Sequence, residues 1–239
     1  MSNTLFLRLE GPLQAWGERG RWSVRDTAPE PTKSGIIGLI ACALGYRADE
    51  QIRPLSEKTR MGVRCDAPGR LITDYHTVGG GYNYPALLTA AGKPKFSSGK
   101  PHTEITWRDY LCDASFLVAL RSEDEALIAQ MGYALQHPVW PIYLGRKSCP
   151  PSRPVFDGLG QYETLEEALT HGNQSDTVKQ PPGPVRGVIE TDPLSGTRRR
   201  DHVLSRQYRV FGPRYTSSIA VEIPQEEDNV SFQSATEQQ

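Results

Sequence analysis

Cysteine is scarce in this 239-residue chain: Cys42, Cys65, Cys112 and Cys149 are scattered, and no Cys-x-x-Cys pair marks a zinc site. They read as reduced core residues, so neither a disulfide framework nor a metal or other cofactor is expected. Long hydrophobic runs are missing too, since no apolar stretch approaches the ~20 residues that a membrane-spanning helix needs. Met1-Ser2-Asn3-Thr4 lacks the basic, then apolar, pattern of a secretory leader, and a cytoplasmic chain with no membrane partner is expected. The glycine-first spacing of a phosphate loop before Lys-Ser is absent, which argues against a nucleotide hydrolase. No Lys-His pair occurs anywhere.

Net charge is also small, at -1, but it is unevenly spread. Residues 222–239 hold Glu222, Glu226, Glu227, Asp228 and Glu237 and no Lys or Arg, so residues 1–221 carry 27 basic against 23 acidic groups. From about 226 onward the sequence reads as a disordered acidic end. The body is mildly basic, and between Arg186 and Arg214 it holds seven arginines against Glu190, Asp192 and Asp201. Such a stretch fits phosphate contacts, and a solvated hairpin tip would look the same.

The order of elements predicts an α+β, ferredoxin-like fold. Leu5 to Leu9 alternates as a strand, and a loop from Glu10 to Glu30 leads to a helix from Thr32 to Leu44 that Gly45 stops. Met61–Cys65 and Leu71–Tyr75 read as a hairpin around Pro68-Gly69. Ala114–Leu120 is a buried strand, Ser122-Glu123-Asp124-Glu125 caps a helix ending before His137-Pro138, and Val139–Leu144 supplies the last strand of a β-α-β-β-α-β set. The unit is expected to span 1–156. Residues 77–107 interrupt it as an overlong insertion, and 157–225 forms a β-rich C-terminal extension with a capping box at Thr164-Leu165-Glu166-Glu167 and a linker at 181–184.

Three places carry phosphate-binding or base-stacking chemistry. Tyr143-Leu144-Gly145-Arg146-Lys147-Ser148-Cys149-Pro150 runs from an apolar stretch into a turn offering amides, guanidinium, ammonium and a hydroxyl. Lys33 and Ser34 sit in the first turn of a helix, where free amides favour an anion, and Gly35 and Gly38 one turn apart admit a close approach. The feet of the insertion carry His76, Trp107 and Arg108, suited to stacking and phosphate contact, whereas His102 reads as a polar loop residue.

Six blocks in order resemble one family. These are Leu7 to Gly17, Thr32-Lys33-Ser34-Gly35, Val63-Arg64-Cys65-Asp66, Asp74-Tyr75-His76-Thr77-Val78, Trp107 to Phe116, and Tyr143 to Pro150. Together they are similar to the Cas-five branch of the RAMP proteins, in its form from type I-E CRISPR Cascade, across most of residues 4–156. The resemblance implies a non-catalytic subunit that binds the 5′ handle of the CRISPR RNA and caps a filament of CasC-type backbone subunits. It would touch a large CasA-type subunit that reads the PAM, meeting target DNA through the assembled complex. The insertion would be a thumb that kinks the guide. Gln14 would offer an amide to a base edge and Trp16 a ring for stacking or loop anchoring. Lys33, Ser34, Arg108, Arg146, Lys147 and Ser148 would meet RNA at phosphates, with His76 and Trp107 beside them. Type I-C relatives instead cleave precursor RNA with Tyr, Lys and His, and this chain does contain Tyr46, Lys147 and five histidines, so a metal-independent endoribonuclease is the rival reading.

Overall fold

The computed structural model of the chain describes residues 2–20, 23–80, 86–179, 183–193 and 195–224. The expected acidic tail at 226–239, Gly81 of the insertion, and Pro181 and Pro182 of the linker lie outside the described residues. In chain order the elements begin with β1 (Thr4–Glu10), β2 (Leu13–Gln14), β3 (Val24–Arg25), α1 (Lys33–Leu44), α2 (Asp49–Glu57), β4 (Arg60–Ala67) and β5 (Arg70–Gly79). There follow β6 (Phe96–Ser97), β7 (Lys100–Pro101), β8 (Thr103–Cys112), β9 (Ser115–Arg121), α3 (Glu125–Gln136) and β10 (Phe156–Gly160). The chain finishes with α4 (Leu165–His171), β11 (Val185–Thr191), β12 (Thr197–Ser205) and β13 (Val210–Val221). Among the described residues no helix is long and apolar enough to cross a membrane.

One antiparallel sheet of order β10-β1-β9-β4-β11-β13-β12 organises the molecule. Within it β1, α1, β4, β9, α3 and β10 follow the expected β-α-β-β-α-β succession, with β1 and β9 at its centre. Helix ends obey their local chemistry. The Thr32 hydroxyl accepts from the Gly35 amide at 3.3 Å, Gly45 closes α1 at φ +75°, and the Asp124 carboxylate accepts from the Leu127 amide at 3.1 Å. Helix α2 has no counterpart in the sequence reading, because Ala48 precedes it and Pro54 lies inside it. It forms by burying Ile52, Leu55 and Ser56.

Four boundaries differ from expectation. Residues 139–144 are not a strand: Pro138 and Pro141 remove ladder donors, and the segment straps along α1, with the Val139 amide donating to the Ala43 carbonyl at 2.9 Å. The fourth strand is β10, so the unit runs past residue 156. β4 and β5 do not pair as a hairpin, since Gly69, at φ +70°, turns the chain off the main sheet, and β5 pairs β8 instead. Their ribbon runs from Arg70↔Cys112 to Gly79↔Thr103, which makes the arm 70–112 rather than 77–107. The C-terminal strands extend the main sheet from β4 through β11.

The two faces of the sheet bury different chemistry. On one, Leu5, Leu7, Leu9, Met61, Val63, Phe116, Val118 and Leu120 pack under α1, α2 and α3. On the other, Phe6, Leu117 and Ala119 meet Leu165, Ala168 and Leu169 of α4. That second face also carries Arg8 and Arg64, both paired across Leu117 and both fully buried. Asp66 ion-pairs with Arg8 and takes two bonds from Arg64, at 2.7 and 3.2 Å. The remaining Arg64 donors reach the carbonyls of Leu169, Gly172 and Asn173 at 2.6–3.0 Å, at the C-terminal end of α4, where the helix leaves acceptors free. Beside them Glu10 is buried; burial pushes its carboxyl up, but the hydroxyls of Ser175, Ser115 and Thr177 and the Arg8 charge outweigh this and hold it below its ordinary value. Asp66→Ala leaves Arg64 buried without its anion and Arg8 with only the longer contact to Asp157 at 3.5 Å, and is expected to destabilise the fold by about 3–5 kcal/mol. Urea unfolding measures this, and a loss under about 1 kcal/mol would show the cluster to be dispensable.

Candidate nucleic-acid interface

Three of the residues expected to touch RNA lie in the interior. Gln14 is fully buried; its amide donates to the carbonyls of Leu9 and Ala114 at 3.0 and 2.7 Å and accepts from the Trp16 indole at 3.1 Å. Trp16 is buried over Gly35, where a Cβ would stand 2.9 Å from the ring. Both residues therefore anchor the first loop, because a base cannot reach polar atoms already enclosed and satisfied. Lys33 is 1% exposed, and its ammonium donates to the Thr59 carbonyl at 2.6 Å and to both Glu190 oxygens at 3.0 Å. Burial pulls its pKa down, and Glu190 opposes that shift. The expected phosphate contact by this side chain is thereby corrected to a structural ion pair. Three arginines of the arginine-rich stretch are spent similarly: Arg186 and Arg199 on Glu30, and Arg214 on Asp201 at 2.7 Å.

The other expected residues surround the base of the arm. Because strand neighbours alternate, Trp107 and Arg108 face opposite sides of β8. Trp107 is 43% exposed and meets Tyr75 edge-on at 6.0 Å, with Leu71 and Ile105 exposed along the same face. Arg108 shares the reverse face with His76, whose Nδ1 lies 3.4 Å from Asp74, and with Tyr110. The Arg146 guanidinium lies 4.7 Å over the Tyr110 ring and donates to the carbonyls of Asp109, Arg25 and Asp26 at 2.8–3.1 Å. Arg146 thus staples the glycine turn to the arm, while Lys147 and Ser148 beside it stay exposed. The turn itself requires glycine, since Gly145 has φ +92° and a Cβ there would run into the Ala15 carbonyl.

On its other side the glycine turn borders a cleft of about 420 Å³. Ser34, Gly35 and Gly38 of α1 line it together with Trp16, Ile52, Val203 and Phe211, and Arg206 and Arg209 enter from the tip of the β12–β13 hairpin. Asp49 fixes this tip: its carboxylate accepts from the Ser205 hydroxyl, the Arg206 amide at 2.8 Å and the Gln207 amide at 3.3 Å. Those bonds, led by Ser205, hold Asp49 below the ordinary carboxylate range. Among the described residues neither Arg206 nor Arg209 forms an ion pair. The cleft thus combines an apolar lining with two guanidiniums, while the first amide of α1, that of Lys33, is already taken by Asp201 at 2.8 Å.

The family described as CRISPR-associated protein (Cas_Cas5) matches residues 4–219, which include the arm, the glycine turn and the hairpin tip. The chain belongs to the Cas5 family. It is 40% identical over 176 residues to the CRISPR system Cascade subunit CasD of Escherichia coli (strain K12), covering 71% of this chain and 76% of that one. Among solved structures this Cas5 chain is similar to one in a CRISPR RNA-guided surveillance complex, at 29% identity and a TM-score of 0.74, covering 92% of this chain and 91% of that chain. It is also similar to one described as a crystal structure of a Cas protein, at 34% identity and a TM-score of 0.67, with 93% and 98% covered.

Arg206, Arg209, Phe211, Ile52 and Asp49 were not singled out in sequence as site residues. Alternation within β12 gave a partial signal: Arg199 turns inward between the outward Arg198 and Arg200, but which arginines of the tip reach a cleft depends on α2, 150 positions earlier. The ion pairs behind the cleft set an acid limit. Burial would raise the Asp201 pKa, but Arg214 and the Lys33 amide outweigh it and keep it below 3.8. Its stabilisation is therefore complete at neutral pH and is lost as pH falls from about 3.8 through the depressed value. Asp201→Asn is expected to lower stability at pH 7 by about 3 kcal/mol and to flatten the fall below about pH 4. Parallel stability-against-pH curves for the two proteins would exclude this origin.

Proposed function

We propose that this Cas5 chain is a non-catalytic subunit of a type I-E CRISPR RNA-guided surveillance complex of the Cascade kind, holding the 5′ handle of the CRISPR RNA. It caps the filament of CasC-type backbone subunits and contacts the large CasA-type PAM-reading subunit, so that it meets target DNA through the complex. Antiviral DNA targeting is the function it serves. The observation that carries the reading is the 40% identity to a Cascade subunit across most of the chain. The geometry supplies a surface to match: exposed Lys147 and Ser148 lie between the arm, with Arg108 and His76 at its base, and the cleft with Arg206 and Arg209.

Acid–base cleavage of RNA finds less support. Tyr46 follows the C-terminal end of α1, where its hydroxyl accepts from Gln130 at 3.1 Å, whereas Lys147 stands in the glycine turn that borders the N-terminal half of that helix. A twelve-residue helix separates such ends by roughly 18 Å. The histidines are dispersed: His76 beside Asp74, His102 on Glu104, His137 stacked on Tyr133, His171 at the end of α4, and His202 against Ser56. Burial and then Lys33 pull the His202 pKa down, which suits a neutral structural imidazole.

Labelled repeat RNA incubated with the purified chain, with and without its partner subunits, separates the readings. Retention of uncut RNA, with a trimmed handle held in the larger complex, is expected; metal-independent cleavage by the chain alone would make it an enzyme. The triple change Lys147→Ala, Arg206→Ala, Arg209→Ala is expected to weaken binding and to reduce the slope of log affinity against log salt by about 2, at ~0.7 per phosphate contact on a single strand. An unchanged slope would remove all three from the interface.

A further inference from the structure

Like charges set directly opposite each other on neighbouring strands destabilise a sheet, so such a pair calls for a cause. Arg60, at the start of β4, stands directly opposite Arg121, at the end of β9. The same sheet face holds a second cationic pair, Arg8 and Arg64, but there Asp66 bridges the two guanidiniums. Arg60 and Arg121 have no such bridge among the described residues. The Arg60 Nη2 donates to the Glu190 carbonyl at 3.0 Å and to the exposed Asp192 carboxylate at 3.3 Å, and the Arg121 Nε donates to the Tyr162 carbonyl at 3.1 Å. The Arg60 Nη1 and both Nη groups of Arg121 have no hydrogen-bond partner among the described residues.

The pair forms a ridge between two clefts. One, of about 540 Å³, lies between the start of α4 and the turn from β11 to β12, and the other, of about 380 Å³, between the end of α2 and the start of α3. Arg60 and Arg121 line both. The Thr191 hydroxyl, buried and without a hydrogen-bond partner among the described residues, belongs to the larger cleft. The surroundings select the anion. Asp192 and Asp124 already face Arg60 and Lys58, while Glu163 and Glu166 in the larger cleft and Glu123 in the smaller one form no ion pair among the described residues. A phosphate chain would bring repeated negative charge against those three glutamates. A single carboxylate can enter between the two guanidinium forks instead, and the glutamates then favour basic groups on the surface that presents it.

We propose that Arg60 and Arg121 form a receptor for one acidic side chain of a neighbouring protein subunit, which bridges them as Asp66 bridges Arg8 and Arg64, with basic residues beside it meeting Glu123, Glu163 and Glu166. The inference rests on the reading of the chain as a subunit of a larger complex and adds to it a protein-docking contact that uses none of the residues lining the cleft at the hairpin tip. It also explains the opposed arginines: their repulsion burdens the isolated chain and is relieved on assembly.

The complex is purified with labelled wild-type chain, Arg60→Gln, Arg121→Gln and the double variant, and its dissociation on dilution gives the affinity of the chain for its partner subunits. Arg121→Gln is expected to weaken that affinity about 10- to 150-fold, the range for a lost hydrogen bond to a charged group. The double variant is expected to fall little further, because both arginines act on one carboxylate. Each isolated variant is expected to melt at or above the wild-type temperature and to bind repeat RNA unchanged. In the complex carrying Arg121→Lys, carbodiimide is expected to couple the new amine to an Asp or Glu of another subunit, located by peptide mass spectrometry. Wild-type assembly by the double variant would overturn the receptor, as would additive losses in the two single variants. A melting temperature that falls together with assembly would make the pair structural, a loss confined to RNA affinity would assign it to phosphate, and coupling only within this chain, to its own acids, would remove the partner; each overturns the proposal. Failure of the wild-type chain to assemble with any subunit would overturn the proposed function, and this contact with it.

Discussion

Asp66 is the group on which the rest of this structure depends. Placing Arg8 and Arg64 opposite each other across Leu117 puts two cations on one sheet face, with Asp157 adding only a 3.5 Å contact to Arg8, a position that costs far more than any surface ion pair returns unless an anion bridges the two. Asp66 does this from the end of β4, and the spare guanidinium donors then take up the carbonyls that α4 leaves free. The helix and the sheet are therefore joined by complementary deficits, excess acceptors on one side and excess donors on the other. With α4 seated there, Phe6, Leu117 and Ala119 on the second face of the sheet are covered.

The same accounting governs the remaining cations. Glu30 takes Arg186 and Arg199 and Glu190 takes Lys33, linking β11 and β12 to the segment that opens α1, while Asp201 joins Arg214 of β13 and accepts from the Lys33 amide. These pairs fix the C-terminal strands against α1 and α2 and thereby aim the β12–β13 tip at the cleft. A count of positive charge along the chain misleads here, because three of the seven arginines in the basic stretch neutralise buried acids. Arg198 and Arg200 face outward from β12, whereas Arg206 and Arg209, with Lys147 nearby on the glycine turn, border the cleft in positions that the paired residues set.

Much of the fold was legible because its signals are local. Thr32 and Gly45 bracket α1, Asp124 caps α3, and the alternation of Leu5, Leu7 and Leu9 reads as a strand. Where the sequence misled, a distant partner decided. Val139–Leu144 has the composition of a strand, yet α1 offers it a bed and the prolines at 138 and 141 deny it a ladder. Met61–Cys65 and Leu71–Tyr75 look like partners because they are adjacent, but each pairs better elsewhere, β4 with β9 and β5 with β8. The site shows the same division. Trp107, Lys147 and Ser148 are exposed at the surface. Gln14, Trp16 and Lys33 belong to the same motifs but hold the loops and the helix that shape the cleft.

A motif can thus be specific to a family without each of its residues standing at the surface. The Gln14 amide joins two carbonyls and the Trp16 indole, Trp16 covers Gly35, and the first loop then presses its Ala15 carbonyl so close to Gly145 that only glycine fits. Each contact constrains the next residue type, which suffices to make the blocks recognisable through packing alone. Groups that meet a flexible strand in solvent face weaker steric demands and leave fainter marks in sequence.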